Sequence, residues 1–187
     1  VQALYLLARA IDRTNSIIGK LMAWLTLGMV LVQFTVVVLR YVFGLGFIWM
    51  QESILYMHSL VFLVGAGYTL LKEGHVRVDI FYRGATVRKK AMVDLAGVLL
   101  LLFPFCILVW YVALPYVMNS WAVFEGSKET SGIQGVYLLK TTILAFTVLV
   151  ALQGLAMAIK SGLVLAGVID DHGDTTVPAH ERTGGAH

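Results

Sequence analysis

Few side chains in this sequence are placed to do chemistry, and several of those lie inside long apolar runs. Gln33, His58 and Gln153 each fall near the middle of such a run, where a polar side chain is costly and marks either a transport path or a helix-to-helix hydrogen bond. His58, with an ordinary pKa of about 6.5, has the chemistry of a proton relay. A relay needs a second titratable group within reach, and no carboxylate lies centrally in any run. The preferred reading is therefore a neutral imidazole hydrogen-bonded across a helix interface. Haem b takes two histidines on facing helices, and only one is found at this depth, which disfavours a haem or quinone site. His75 and Asp79 offer two metal ligands without a third. Cys106 is the single cysteine, so there is no intrachain disulfide, cysteine zinc cluster or CxxC redox pair. Walker A, GxGxxG, HExxH and GxSxG patterns are all missing, and with them ATPase and hydrolase machinery. No catalytic residue, metal or cofactor is expected.

The elements that carry these residues follow from composition. Of 187 residues, 59% are hydrophobic and 13% charged, with a mean hydropathy of +0.83; a soluble domain carries about 25% charged residues. The bilayer is the solvent to reason in. A span needs about 20 largely apolar residues, and four runs qualify: Leu21 to Phe43, Ile48 to Leu71, Ala91 to Met118 and Val136 to Val168. Backbone groups in lipid must satisfy one another, so these are helices, and no repeated strand-like alternation supports a barrel. The fold class is an all-α integral membrane protein with a transmembrane domain over 21–168. Residues 1–20, with Leu4, Leu7, Ala8, Ile11, Asn15 and Ile18 at helical spacing, are expected to form a separate amphipathic helix lying on the membrane surface. Residues 169–187 have almost no apolar content and are expected to be a disordered tail. The first run is too long for a signal peptide and lacks a small-x-small cleavage pattern, so it is expected to remain in the protein.

Eleven of the fourteen lysines and arginines fall before the first run, between the second and third, or in the closing part of the fourth and beyond it. That side is expected to be cytoplasmic, with both termini on it. Short basic clusters between apolar runs set orientation and meet lipid, Arg83, Arg88, Lys89 and Lys90 being candidates for headgroup contacts; binding of nucleic acid is not expected.

Several motifs point to structure and interfaces. Trp49 and Glu52 share a face at the start of the second run, where an acid suits the positive end of a helix dipole and an indole suits the interface. Asp94 repeats the placement at the start of the third run, which Pro104 is expected to kink. Gln33 and Gln153 read as hydrogen-bonding glue. Gly154, Ala158, Gly162 and Ala166 put one small residue per turn on one face of the fourth run and suggest close approach of a partner helix. Between the second and third runs, His75, Arg77 and Asp79 belong to a mixed segment suited to lying along the membrane surface.

W-x-x-E at Trp49 to Glu52, GAGYTL at Gly65 to Leu70, EGHVRVDIFY at Glu73 to Tyr82, Asp94 opening the third run, GSKETSG at Gly126 to Gly132 and LQGLAMAIK at Leu152 to Lys160 together resemble the small membrane (Q, DctQ-type) subunit of tripartite ATP-independent periplasmic (TRAP) transporters. The resemblance runs over residues 1–168 and is nearest to the branch associated with 2-oxo acids and related organic acids. It implies a bacterial inner-membrane complex in which a periplasmic substrate-binding (P) protein delivers an organic anion to a large (M) membrane subunit, which moves it inward with sodium. The small subunit then braces the large one, and sodium and substrate are held by the partner. By position, Trp49 and Glu52 match the family's outer motif and His75, Arg77 and Asp79 its inner motif, all as structural or interface residues; loops around Gly44 to Trp49 and Ser120 to Tyr137 would meet the periplasmic protein. An anchor for a quinone- or haem-linked enzyme and an independent small transporter are the competing readings.

Overall fold

The computed structural model describes residues 2–72 and 85–168. Four helices are long and apolar enough to cross a membrane: α1 (Gln2–Val42), α2 (Ile48–Leu71), α3 (Val87–Ala122) and α4 (Val136–Leu165). Residues 43–47 and 123–135 join helices at one end of the bundle, called here the loop end. The start of α1 and the ends of α2 and α4 lie towards the other, the termini end. No strand occurs among the described residues.

The expected surface helix over 1–20 is not a separate element. Gln2–Val42 is one uninterrupted helix of 41 residues, about 60 Å long at 1.5 Å per residue and so about twice the thickness of the hydrocarbon. Nothing breaks it, because Gly19 at the join stays helical and is covered by a ring: a Cβ there would sit 2.1 Å from Tyr68 Cγ. Ala8, Ile11 and Asn15, expected to face the membrane surface, are buried. Ala8 and Ile11 pack on Ala156 and Ile159 of α4, while Leu4 and Leu7 remain exposed.

α4 packs against all three other helices. Its polar residues are absorbed there: Ser59 and Thr142 share a hydrogen bond of 2.8 Å between α2 and α4, and the buried Thr147 hydroxyl donates to the Leu144 carbonyl of its own helix at 2.8 Å, one of the ways a hydroxyl is tolerated inside a helix. Large apolar side chains face outwards, among them Trp24, Phe62 and Leu100, each more than 70% exposed. In water this would be a fault; in a bilayer these groups meet lipid or another subunit.

The interruption expected at Pro104 takes the form of a π-helical turn, Val98–Leu102, just before the proline. Pro104 lacks an N–H and its ring would press on the Leu100 carbonyl, so widening the preceding turn relieves both conflicts. A second π turn, Leu60–Val64, precedes Gly65 in α2; no proline announces it. α3 begins four residues earlier and ends four later than expected, and α4 stops at Leu165, short of Val168. The stop has a local cause. Gly167 takes φ +73°, its N–H meets the Val164 carbonyl and that of Val168 meets Leu163, both at 3.0 Å, which is a Schellman closure.

Candidate functional site

At the loop end, residues 123–135 are tied to three helices. Glu52 stands one turn into α2 and does not serve its own helix terminus, as the dipole argument expected. Its carboxylate accepts the Ile133 backbone N–H at 2.6 Å and the Ser127 hydroxyl. Gly132 permits the approach, since a Cβ there would lie 2.7 Å from Glu52 Oε1 and 2.2 Å from Ser127 Oγ. One turn on, Tyr56 donates to the Ile133 carbonyl at 3.5 Å. Trp49 takes no part in this network; it is exposed, with its ring 6.5 Å from that of Phe47.

A second set of contacts closes the other side of the loop. Glu125 pairs with Lys140 of α4 and accepts the Ser120 hydroxyl at 2.7 Å. The Lys140 ammonium also lies 4.1 Å from the centre of the Tyr116 ring, within cation–π range. These donors, the Lys140 bond first and Ser120 second, hold the Glu125 carboxyl below its ordinary range. Phe124 has φ +44°, a left-handed conformation that is unfavourable for an aromatic residue. Its ring is held edge-on to Tyr137 and Trp121, at centroid distances of 5.7 and 6.4 Å, and Trp121 in turn donates its indole N–H to Thr141 at 2.9 Å.

The second polar cluster lies inside the termini end and joins α1 to α4. Asn15 donates to Gln153 Oε1 at 2.7 Å, Gln153 donates to Asp12 Oδ1 at 2.9 Å, and Lys160 pairs with the other Asp12 oxygen. Asn15 and Gln153 are each 1% exposed. Asn15 Oδ1 has no hydrogen-bond partner and rests against Gly67 of α2, where a Cβ would come within 2.7 Å of it. Gln153 thus hydrogen-bonds two side chains of α1. The sequence reading missed Asp12, Asn15 and Lys160 as its partners; the signal was two polar residues, Asp12 and Asn15, three apart on the same face as Ala8 and Ile11.

The other anticipated residues separate. His58 is exposed and stacks on Phe62 at 6.1 Å, so it does not bridge helices of this chain as expected: its position on α2 turns it away from the bundle. Gln33 is exposed beside Arg40, Tyr41 and Gln51 and bonds no neighbouring helix. Asp94 lines a cavity of about 230 Å³ with Lys90, Gln153, Lys160 and Ser161. Arg88 and Lys89 are exposed in the first turn of α3. The small-residue stripe divides: Gly154 is buried against α3, where a Cβ would lie 2.2 Å from Leu102 Cδ2; Ala158 is half-buried, and nothing approaches Gly162. Gly154 therefore serves packing within the chain. His75, Arg77, Asp79 and Arg83 lie outside the described residues. No group of three or more His, Cys, Asp or Glu side chains suited to a metal occurs among the described residues.

The geometry is that of a braced bundle: one network joins α1 to α4, another holds a loop. Among known proteins, the chain is 31% identical over 85 residues to the C4-dicarboxylate TRAP transporter small permease protein DctQ of Vibrio cholerae serotype O1, a match covering 46% of this chain and 37% of that relative. No solved structure matches it. Residues 29–162, however, match the family described as tripartite ATP-independent periplasmic transporters, DctQ component, and the four long apolar helices agree with a membrane component. The chain belongs to the DctQ family of TRAP transporter small permease components.

Proposed function

We propose that this chain is the scaffold subunit of a TRAP importer in a bacterial inner membrane, bracing a large membrane subunit during sodium-coupled uptake of an organic acid delivered by a periplasmic binding protein. The observation that carries this reading is where the polar groups go. Asp12, Asn15, Gln153 and Lys160 join helices, and Glu52, Glu125 and Lys140 hold a loop, while long flanks of α1 and α3 present apolar side chains outwards. Charge in this bundle stiffens it. Sodium and substrate are then bound by the large subunit. An organic acid is supported as the substrate class by the C4-dicarboxylate in the name of the Vibrio relative, and family membership supports the large subunit and the binding protein as partners.

The placement of eleven of fourteen basic residues supports a cytoplasmic termini end. The loop end then faces the periplasm, and Trp49, Phe47 and the braced 123–135 segment form the surface offered to the binding protein. Tagged chain extracted in mild detergent should bring down a large multi-span subunit, and cells lacking this chain should lose sodium-dependent uptake of organic acid. Purification without such a subunit, under conditions that keep membrane complexes together, counts against the scaffold reading. A Soret band in the purified protein would favour an enzyme anchor instead, and solute movement by this chain alone in proteoliposomes would favour an independent transporter.

A further inference from the structure

A cleft of about 690 Å³ opens at the termini end between α1 and the last turn of α2, lined by Leu6, Arg9, Asp12, Arg13 and Ser16 on one side and Leu71 and Lys72 on the other. Leu6, Arg9, Arg13 and Ser16 recur three or four residues apart and so share one flank of α1. Two arginines four apart on a helix repel each other, and Lys72, at the C-terminal cap of α2, adds a third cation to the same space. The charge of Asp12 is offset by Lys160, with which it pairs, so the cleft keeps an excess of positive charge. Tyr5 and Tyr68 hold two of the cations over their rings, Arg9 at 5.7 Å and Lys72 at 5.9 Å.

The position of the cleft narrows the anion. Leu71 is the last residue of an apolar span, and Tyr68 lies against Gly19, so Ser16 stands level with the point where α2 leaves the hydrocarbon. Arg13 and Arg9 are one and two turns further out, at headgroup depth. Towards the membrane centre the same flank of α1 continues through Trp24 and Leu27, both exposed, a surface suited to an acyl chain. Cations at the boundary above an apolar flank are the complement of one amphiphilic anion.

We propose that this cleft binds the phosphate headgroup of an anionic phospholipid, with Arg9, Arg13 and Lys72 as its charge partners and Ser16 as a hydroxyl donor. The site is distinct from the exposed Arg88 and Lys89 of α3 and does not depend on which membrane face the termini end occupies.

The test uses the full chain purified in mild detergent with the subunits that accompany it, stripped of lipid and titrated with phosphatidylglycerol, cardiolipin, phosphatidylcholine and inorganic phosphate, with retention read by native mass spectrometry. The anionic lipids should be retained at least tenfold better than phosphatidylcholine, and inorganic phosphate should neither bind nor displace them. Arg9→Gln with Arg13→Gln should weaken retention on the order of 30-fold, and Lys72→Gln by about fivefold. Arg9→Lys with Arg13→Lys, which keeps the charge, should retain most of it, and an Arg40→Gln control at the loop end should change nothing. Unfolding midpoints identify any variant that fails to fold, in which case Lys72→Gln decides. Equal retention of phosphatidylcholine, undiminished retention in a folded Gln variant, or binding of inorganic phosphate alone would overturn the assignment, as would crosslinking of a photoreactive residue at position 13 to a protein subunit in native membranes.

Discussion

At the loop end, Glu52 and Glu125 accept hydrogen bonds from the backbone and hydroxyls of one connecting segment and its flanking helices; at the termini end, Asp12 engages side chains of a helix 141 and 148 positions away. The first arrangement shapes a loop whose ends α3 and α4 already fix, so its loss should be felt locally. The second closes a long chain, since α1 and α4 are held together there by a row of side chains and a few small apolar contacts. Exposure sharpens the contrast at the amides: Asn15 and Gln153 are all but fully buried, whereas the two ion pairs are alike, Lys140 and Glu125 keeping 14% and 35% and Lys160 and Asp12 38% and 19% of their side-chain surface. A polar group in a dry site must keep its partners or be costly, so stability should depend chiefly on the termini end and presentation of a surface on the loop end.

The largest effect is expected where helix backbones meet the buried network. Gly67→Leu would drive a side chain into Asn15 and towards the Leu149 carbonyl, 3.3 Å from a Cβ at that position, and should destabilise the bundle by about 3 kcal/mol, read by denaturant unfolding in bicelles. Gly132→Leu at the loop end should cost clearly less; similar losses would erase the distinction between the two ends. Next in size is Asp12→Leu, which strands Gln153 and Lys160 and should cost about 2 kcal/mol. A double-mutant cycle with Lys160→Met should show coupling of about 0.5–1.5 kcal/mol, within the range found for polar pairs in membranes. Additive losses would mean that the Asp12–Lys160 pair contributes nothing to holding α1 on α4.

What could be read in advance followed from strong local rules. Apolar run length located all four spans, because the bilayer sets a minimum length and forces helices, and the proline marked the π turn of α3 to within a few residues. The continuity of α1 was not legible in the same way. Amphipathic spacing over residues 2–20 looks the same whether the apolar face meets lipid or another helix, and only the long-range contact of Ala8 with Ala156 decides between them. Gln153 could be marked as a polar group at depth, but its partners could not be named, since hydrogen bonding across more than a hundred residues leaves no periodicity. Glu52 was marked as structural, yet its loop partner was hidden because Gly132 and Ser127 act through close approach and not through charge.

A smaller effect is expected from Glu52→Ala. Global unfolding should shift by no more than about 1 kcal/mol, the typical worth of a hydrogen bond, while protease cleavage within 123–135 should rise about fivefold, as a local opening cost about 1 kcal/mol lower would allow. Glu52→Gln, whose amide oxygen still accepts from Ile133, should fall between the two proteins. Unchanged cleavage in Glu52→Ala would show that Tyr56 and the aromatic cluster hold the loop without the carboxylate.

The smallest effect is the acid response of the loop. Hydrogen bonds from Lys140 and Ser120 lower the folded-state pKa of Glu125, so the protein binds fewer protons there than the unfolded chain does. The contribution of this group to stability is therefore complete above its ordinary value of about 4.3 and is lost as pH falls through the lowered folded-state value. A variant keeping Trp121 as its single tryptophan reports the event directly, since that ring packs at 4.6 Å on Tyr137 and borders Phe124, next to the carboxylate. Its fluorescence should be flat from neutral pH to about 5 and change only below about 4.3. Adding Lys140→Met removes the principal donor and should move the transition upwards towards the ordinary carboxylate range, while Asp12→Leu should leave it in place. A midpoint indifferent to Lys140 would show that protonation of some other group releases the loop, and a midpoint that followed Asp12 would mean the two ends of the bundle are coupled after all.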